Sequence, residues 1–422
     1  MAVFNAFIGL GPEVMMPIIF FILALCFKIK IGNAFKAGMM VGIGFTGLNL
    51  LIGALLTSLG PAVQEMITRF GLNFNVVDVG WAVGSSIAWS SSVVPGIIFG
   101  SLILNVVLVM LKLTKTIDID IFNYWGTLMI GALAQFITGN MFVALAIALV
   151  FRVVLLKIAD FTAPKLQEAY DMKGVSFTNH VSAPGVVIAV IVNKVIDAIP
   201  GIRNINLNLD KFTKRFGVLG DPVTIGSILG LGLGLLAGWN ISDSIKLAVK
   251  VAAVMVLLPR MLDVLVEGLI TVRDAAEITL KQKFPDREIY LGIDAGILIS
   301  DPAILSTGLL LIPVALLLAV ILPGNKMLPF VDLASAVFFL SMVGPFCKNN
   351  IFRIFITGII CVTIALYAGT MFAPYYTEAA KLANISMPEG VDGTYMSNLI
   401  SSHSTFLGII FTKIAELLKA FI

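Results

Sequence analysis

The sequence predicts an all-α polytopic membrane protein: two inverted-topology repeats of about five transmembrane helices each, with re-entrant and interfacial amphipathic segments. Three observations predict it. Hydrophobic residues make up 59% of the 422 and charged ones only 13%, at a mean hydropathy of +1.01, whereas soluble domains carry about 25% charge. Polar landmarks recur at a separation near half the chain. Basic residues of corresponding loops change sides between the halves.

Continuous apolar runs at 7–27, 37–59, 93–111, 124–151, 218–238, 247–270, 303–322, 331–347 and 354–373 reach or approach the roughly 20 residues that cross a bilayer as a helix. A transmembrane barrel would need short alternating strands instead. Met1 to Leu10 has no basic n-region and no small-residue cleavage site, so no removable signal peptide is expected. The net charge of +3 sits in loops and leaves no nucleic-acid footprint. Cys26, Cys347 and Cys361 lack metal-ligand spacing and read as packing residues; with two histidines and no ligand cluster, neither a metal nor a cofactor is expected.

Most of the landmarks keep one offset. TAPKLQEA (162–169) and FAPYYTEA (372–379) place Pro164 and Pro374 210 positions apart. Pro12 answers to Pro222, GNAFKAG (32–38) to SDSIKLA (242–248) and Asn140 to Asn350 at the same 210. VVDVGWAVGSS (76–86) answers to LGIDAGILISD (291–301), where Asp78 and Asp294 stand 216 apart, and His180 answers to His403 after a further slip. Chance matches among Leu and Ile would not preserve an offset through Pro, Asn and Asp. The expected organisation is a first repeat at 1–200, a linker at 201–217 and a second repeat at 218–422.

Lys and Arg in short loops stay in the cytoplasm, so loop charge orients the halves. Lys28, Lys30 and Lys36 occupy 28–36, where 238–246 has Lys246 alone; Arg69 is alone in 60–75, where 271–289 has Arg273, Lys281, Lys283 and Arg287. The turn at Asn140 has no basic residue and that at Asn350 has Lys348 and Arg353; 152–173 carries Arg152, Lys157, Lys165 and Lys173 against Lys381 alone in 362–386. Every comparison reverses, which predicts opposed halves with the N-terminus outside. TAPKLQEA and FAPYYTEA are expected to begin interfacial amphipathic segments, with proline in the first helical turn. The apolar stretch within 176–199 is too short to span and reads as re-entrant.

Polar groups inside a bilayer mark a pathway or a site. SSIAWSSSVVPG (85–96) puts Ser85, Ser86, Trp89, Ser90, Ser91 and Ser92 before a Pro-Gly break, and SDPAILSTG (300–308) supplies Ser300, Asp301 and Ser306 at the matching place. Broken helices at equivalent positions of inverted halves point to a substrate site near the midplane; helix packing through small residues is the competing reading. Hydroxyls, amides and carboxylates beside an aromatic platform suit a polyol or sugar. Asp78 and Asp294 read as hydroxyl acceptors or as partners of interfacial Arg, and Gln135, Asn140 and Asn350 as cavity lining or helix caps. His180 and His403 are candidates to orient or deprotonate a hydroxyl, or are hydrogen-bonded structural residues. Glu267 shares a helix face with Arg260 and Asp263 and reads as a catalytic carboxylate or an intrahelical ion pair.

FGVLGDPVTIGSILG, LLPRMLDVLVEGL, YLGIDAGILISDPAI and ADFTAPKLQEAYDMKG followed by FTNHVSAPG together resemble the galactitol-type membrane subunit, enzyme IIC, of the bacterial phosphoenolpyruvate-dependent sugar phosphotransferase system, and more distantly its ascorbate-type permease. The resemblance implies a homodimer in the bacterial inner membrane, with a rigid dimerising part and a core that carries a polyol across by an elevator movement. It also implies a cytoplasmic EIIB chain, phosphorylated on cysteine and supplied by EIIA, that phosphorylates the bound substrate, galactitol by preference. These 422 residues hold no hydrophilic stretch long enough to be that phosphocarrier. Arg273, Lys281, Lys283 and Arg287 are expected to help dock it, or else serve only as a topology signal. An ion-coupled secondary transporter, with the Asp pair binding the coupling ion, is the alternative.

Overall fold

A computed structural model describes residues 12–70, 74–206, 222–283, 288–329, 331–383, 385 and 395–421. Arg287, and the expected linker beyond residue 206, lie outside the described residues. The chain runs α1 (Pro12–Cys26), α2 (Ile31–Phe70), β1 (Val76–Asp78), α3 (Gly80–Trp89), α4 (Val94–Met110), β2 (Thr116–Asp118), α5 (Tyr124–Thr138), α6 (Met141–Tyr170), β3 (Val175–Phe177) and α7 (Ser182–Ala198). It continues through α8 (Pro222–Ala237), α9 (Ile241–Lys283), β4 (Tyr290–Ile293), a 3-10 turn at Ala295–Ser300, α10 (Pro302–Ile321), β5 (Met327–Leu328), 3-10 turns at Ala334–Leu340 and Pro345–Cys347, α11 (Ile351–Leu382), β6 (Tyr395–Ser397) and α12 (Phe406–Lys419).

The apolar runs fold as helices because a bilayer-buried backbone must bond within its own segment. Among the described residues, Met141–Tyr170, Ala303–Ile321 and Ile351–Leu382 are long and apolar enough to cross a membrane. Gly80–Trp89 and Val94–Met110 form a fourth candidate, bent by 90°, as the SSSVVPG break predicts. Asn140 and Asn350 start the two long helices: their side-chain oxygens accept from Phe142 and Val143, and from Phe352. Each N-cap satisfies a backbone donor that the first turn leaves free.

Five expectations change. The chain is not purely helical, since six short strands form two parallel three-stranded sheets. TAPKLQEA and FAPYYTEA begin no new segment: Pro164 and Pro374 lie inside α6 and α11. A membrane helix tolerates the one ladder bond that each proline removes, and α6 and α11 run on past Pro164 and Pro374. The 60–75 and 271–289 loops are largely helix, because α2 runs to Phe70 and α9 to Lys283. The 331–347 run is no crossing helix but a series of 3-10 turns lying almost wholly buried, a setting in which irregular backbone survives at membrane depth. Arg152 and Arg353, read as loop charges, are 1% and 3% exposed.

The helices divide into two bodies. α1, α2, α8 and α9 pack chiefly on one another, and the remaining elements form the core. Small residues let the four helices approach: a Cβ on Gly268 would stand 2.5 Å from the Ala37 carbonyl oxygen, and one on Gly38 2.5 Å from that of Pro17. Gly268→Leu is expected to force α9 off α2 and lower stability by about 1–3 kcal/mol, read as a reduced melting temperature in detergent.

In the core, β1 lies between β5 and β6, with Val76 beside Met327 and Tyr395 and Asp78 beside Ser397. β4 lies between β2 and β3, with Leu291 beside Ile117 and Val175. Each central strand therefore comes from the other end of the chain than its two neighbours. Because each sheet is parallel, the loops following its strands gather at one edge.

Candidate functional site

At those edges, carboxylates bind loops together. Asp78 Oδ1 accepts from Gly80 N at 3.1 Å and its Oδ2 from Val331 N and Asp332 N at 3.0 and 2.9 Å. Asp332 in turn accepts from Trp81 N and Ile400 N, both at 2.8 Å. Gly80 turns with φ 78°, a conformation glycine adopts without steric cost. At the second sheet Asp294 Oδ1 accepts from Gly296 N at 3.1 Å and Asn179 Nδ2 at 2.9 Å, while Asn179 Oδ1 accepts from Val181 N and Ser182 N. Asp118 accepts from Asp120 N and the Thr178 hydroxyl and pairs with Arg152, whose guanidinium lies 3.9 Å from the Tyr124 ring centre. Asp78 and Asp294 thus brace the loops that carry the polar residues.

The two histidine loops meet on α5. Ser402 Oγ donates to the Gly126 carbonyl at 2.6 Å, and a Cβ on Gly126 would overlap the His180 ring. Trp125 holds that ring edge-on at 4.5 Å. His403 is fully buried; its Nε2 lies 3.2 Å from Ser397 Oγ and its ring 5.0 Å from that of Tyr376. α3 joins through Gly84, where a Cβ would stand 2.8 Å from Tyr376 Oη and 3.1 Å from Asn398 Nδ2. On α3, α5, α11 and the 398–405 loop, Ser85 Oγ, Trp89 Nε1, Tyr124 Oη, Thr127 Oγ1, Tyr376 Oη, Ser401 Oγ and His403 Nδ1 are buried without a hydrogen-bond partner among the described residues. A buried polar group left unsatisfied costs about 1–3 kcal/mol. Hydroxyls, indole and imidazole nitrogens of this kind can pair with the hydroxyl groups of a solute or with water.

Of the expected site residues, Ser85, His180 and His403 belong to this region, and Trp89 ends the helix that carries Ser85. Ser86 and Ser91 donate to the carbonyls of Ala82 and Ala88, Ser90 stands at the helix corner, and Gln135 accepts from Ser92 at 2.9 Å, tying that corner to α5. Asn140, Asn350 and Asp301 are caps, the last accepting from Ala303 N and Ile304 N. Ser300 ends the 3-10 turn and Ser306 lies on α10. Glu267 stands apart in the four-helix body, 59% exposed and 3.6 Å from Lys36. Arg273, Lys281 and Lys283 belong to the end of α9. Arg152, Tyr376, Asn398 and Asp332 were not anticipated, although SNLISSHST (397–405) is the densest polar string of the second half. Among the described residues no cluster has metal-ligand geometry.

The family described as the sugar-specific permease component of the phosphotransferase system matches residues 6–390. The chain belongs to this family. The permease is 36% identical, over 376 residues, to the galactitol-specific EIIC component of Escherichia coli strain K12, covering 89% of its own length and 83% of the relative's. It matches the protein of that name from Escherichia coli O157:H7 to the same extent. The permease is thus the EIIC transport subunit of a sugar phosphotransferase system, a membrane protein that works with cytoplasmic phosphotransferase partners.

Proposed function

We propose that the permease takes up a polyol, galactitol first, and holds it among α3, α5, α11 and the 398–405 loop while a phosphocysteine EIIB chain phosphorylates it. The observation that carries this reading is the group of buried polar atoms without partners at Ser85, Tyr124, Thr127, Tyr376, Ser401 and His403. A polyol presents a hydroxyl on every carbon and satisfies such a group where an apolar solute cannot. The galactitol specificity in the relatives' name supports the choice of substrate.

In the transfer, a polyol oxygen bonds to phosphorus as the phosphorus–sulfur bond breaks; the electron pair leaves on the EIIB cysteine and the hydroxyl proton passes to a base. Positioning and charge neutralisation supply most of the catalysis in such steps. His403 is the best-placed base, because Ser397 and Tyr376 hold its ring; His180 is the second. Arg273, Lys281, Lys283 and Arg287 remain the docking surface for EIIB, which EIIA recharges.

The inverted repeats at 1–200 and 218–422, joined at 201–217, are supported by the element order of α1–α7, which returns from α8 to α12 with 3-10 turns replacing two helices. The reciprocal exchange of central strands between the sheets supports them further. In this reading the protein is a multi-pass protein of the bacterial inner membrane, a homodimer whose four-helix body is the static part and whose core moves as an elevator.

The test is reconstitution in vesicles with EIIA, EIIB and the proteins that charge them. Galactitol should accumulate only as its phosphate and only with phosphoenolpyruvate; accumulation of free galactitol on an ion gradient overturns the reading. In the same vesicles His403→Gln, whose amide can keep a hydrogen bond to the polyol, should change galactitol binding little and slow phosphorylation about 100-fold or more. Loss of binding as well would make His403 a positioning residue.

A further inference from the structure

Away from the polyol site, a cleft of about 460 Å³ opens where the end of α7, the 202–204 turn and the N-terminus of α11 meet, and Asp197, Arg203, Lys348, Asn350 and Arg353 line it. The exposed basic residues Lys194, Arg203 and Lys348 mark this end of the molecule as cytoplasmic. Arg353, 3% exposed, donates from Nη1 to Asn193 Oδ1 at 2.7 Å and from Nη2 to Asp197 Oδ1 at 2.6 Å. Lys348 Nζ reaches both Asp197 oxygens, at 3.1 and 2.9 Å. Lys348 and then Arg353 hold the Asp197 carboxyl below the usual carboxylate range. The Arg203 carbonyl accepts from Arg353 at 3.3 Å, and the Arg203 side chain makes no ion pair among the described residues. Three cations face one carboxylate, so the lining is cationic.

The backbone is also unusual there. Lys348 and Asn349 both adopt left-handed conformations, φ 57° and 50°, whereas the matching turn before α6 needs one such residue and uses Gly139, φ 67°. Asn349 adopts this conformation readily, but at Lys348 it costs about 1–2 kcal/mol, and such strain gathers at ligand clamps. Here it directs Lys348 into the cleft beside the N-terminus of a 32-residue helix, whose dipole favours an anion.

We propose that this cleft binds a phosphate monoester, namely the phosphorylated polyol as it leaves the permease at the cytoplasmic face. Arg and Lys with a helix N-terminus are phosphate-binding chemistry, and Asp197 acts as the resident counter-ion that the phosphate displaces from Lys348. The proposal rests on the polyol reading above. The phosphate headgroup of an anionic lipid has the same chemistry, and the experiment separates the two sources.

Full-length permease in phosphatidylcholine nanodiscs is titrated with galactitol phosphate, inorganic phosphate and free galactitol. Galactitol phosphate should bind, with competition from inorganic phosphate. Lys348→Met and Arg203→Gln should each weaken it about tenfold or more while free galactitol binds unchanged. Asp197→Asn, which removes the competing carboxylate, should tighten it about threefold; a merely structural ion pair would give no such gain. Unchanged affinity in the Lys348 and Arg203 variants overturns the proposal. Displacement of galactitol phosphate in nanodiscs enriched in phosphatidic acid overturns the product as occupant in favour of the headgroup. Undiminished phosphate affinity with EIIB-dependent phosphorylation lost in Lys348→Met overturns it in favour of a partner surface. Free galactitol that binds while its phosphate does not sinks the cleft alone, whereas failure of galactitol itself to bind sinks the polyol reading.

Discussion

Arg152→Ala is expected to destabilise the permease by about 3–5 kcal/mol, because it leaves the Asp118 carboxylate buried without its counter-charge. Both side chains are essentially inaccessible, at 1% and 0% exposure. The guanidinium also lies over the Tyr124 ring, a contact worth about 2 kcal/mol or more when desolvated. Asp118 accepts from Thr178 and Asp120 N, so the damage should spread to the loop bearing His180 and reduce substrate binding. Unfolding in detergent measures the first effect and galactitol binding the second. The double variant Arg152→Ala with Asp118→Asn should recover part of the stability. Equal melting of single and double variants would show that the lost charge pair is not the cause.

Gly126→Val should abolish galactitol binding. The added side chain would occupy the space of the His180 ring, which is 1% exposed and held by Trp125, so either α5 or the His180 loop must move. Overpacking of this kind costs about 1–3 kcal/mol. The shift also pulls the Gly126 carbonyl from Ser402 Oγ, so both histidine loops lose their common anchor. Gly126→Ala should show a smaller loss of binding in the same direction. Gly32→Ala, where a Cβ meets nothing within 4 Å, should stay within about 0.5 kcal/mol of the parent. Equal binding by Gly126→Val and Gly32→Ala would remove α5 from the site.

Much of this architecture was legible along the chain. Long apolar runs announced α4, α10 and α11, while the 124–151 run joined α5 to the start of α6; the Pro-Gly break announced the corner between α3 and α4, and the paired asparagines marked the starts of α6 and α11. The strands were not legible. β1 covers three residues, Val76–Asp78, too few for a period of two to show, and its partners Met327 and Tyr395 lie some 250 positions or more away. The 331–347 run was misread because complete burial makes a series of 3-10 turns as apolar as a helix. Arg152 and Arg353 were misread because a single basic residue beside an apolar run looks like a loop charge until its partners, Asp118 and Asp197, come into view.

The candidate site divides the same way. Ser85, Trp89, His180 and His403 stood out as polar groups in an apolar chain, whereas Tyr376, Asn398 and Arg152 acquired meaning only from what they touch. By itself the sequence determined the solvent of this protein, the ends of its long helices and the spacing of its matched motifs, because hydropathy, capping and proline act within a few residues. Only the tertiary structure decided which carboxylates brace loops and which hydroxyls stay unpaired. Hydrogen-bond satisfaction depends on neighbours brought together from hundreds of positions apart, and no local pattern encodes them.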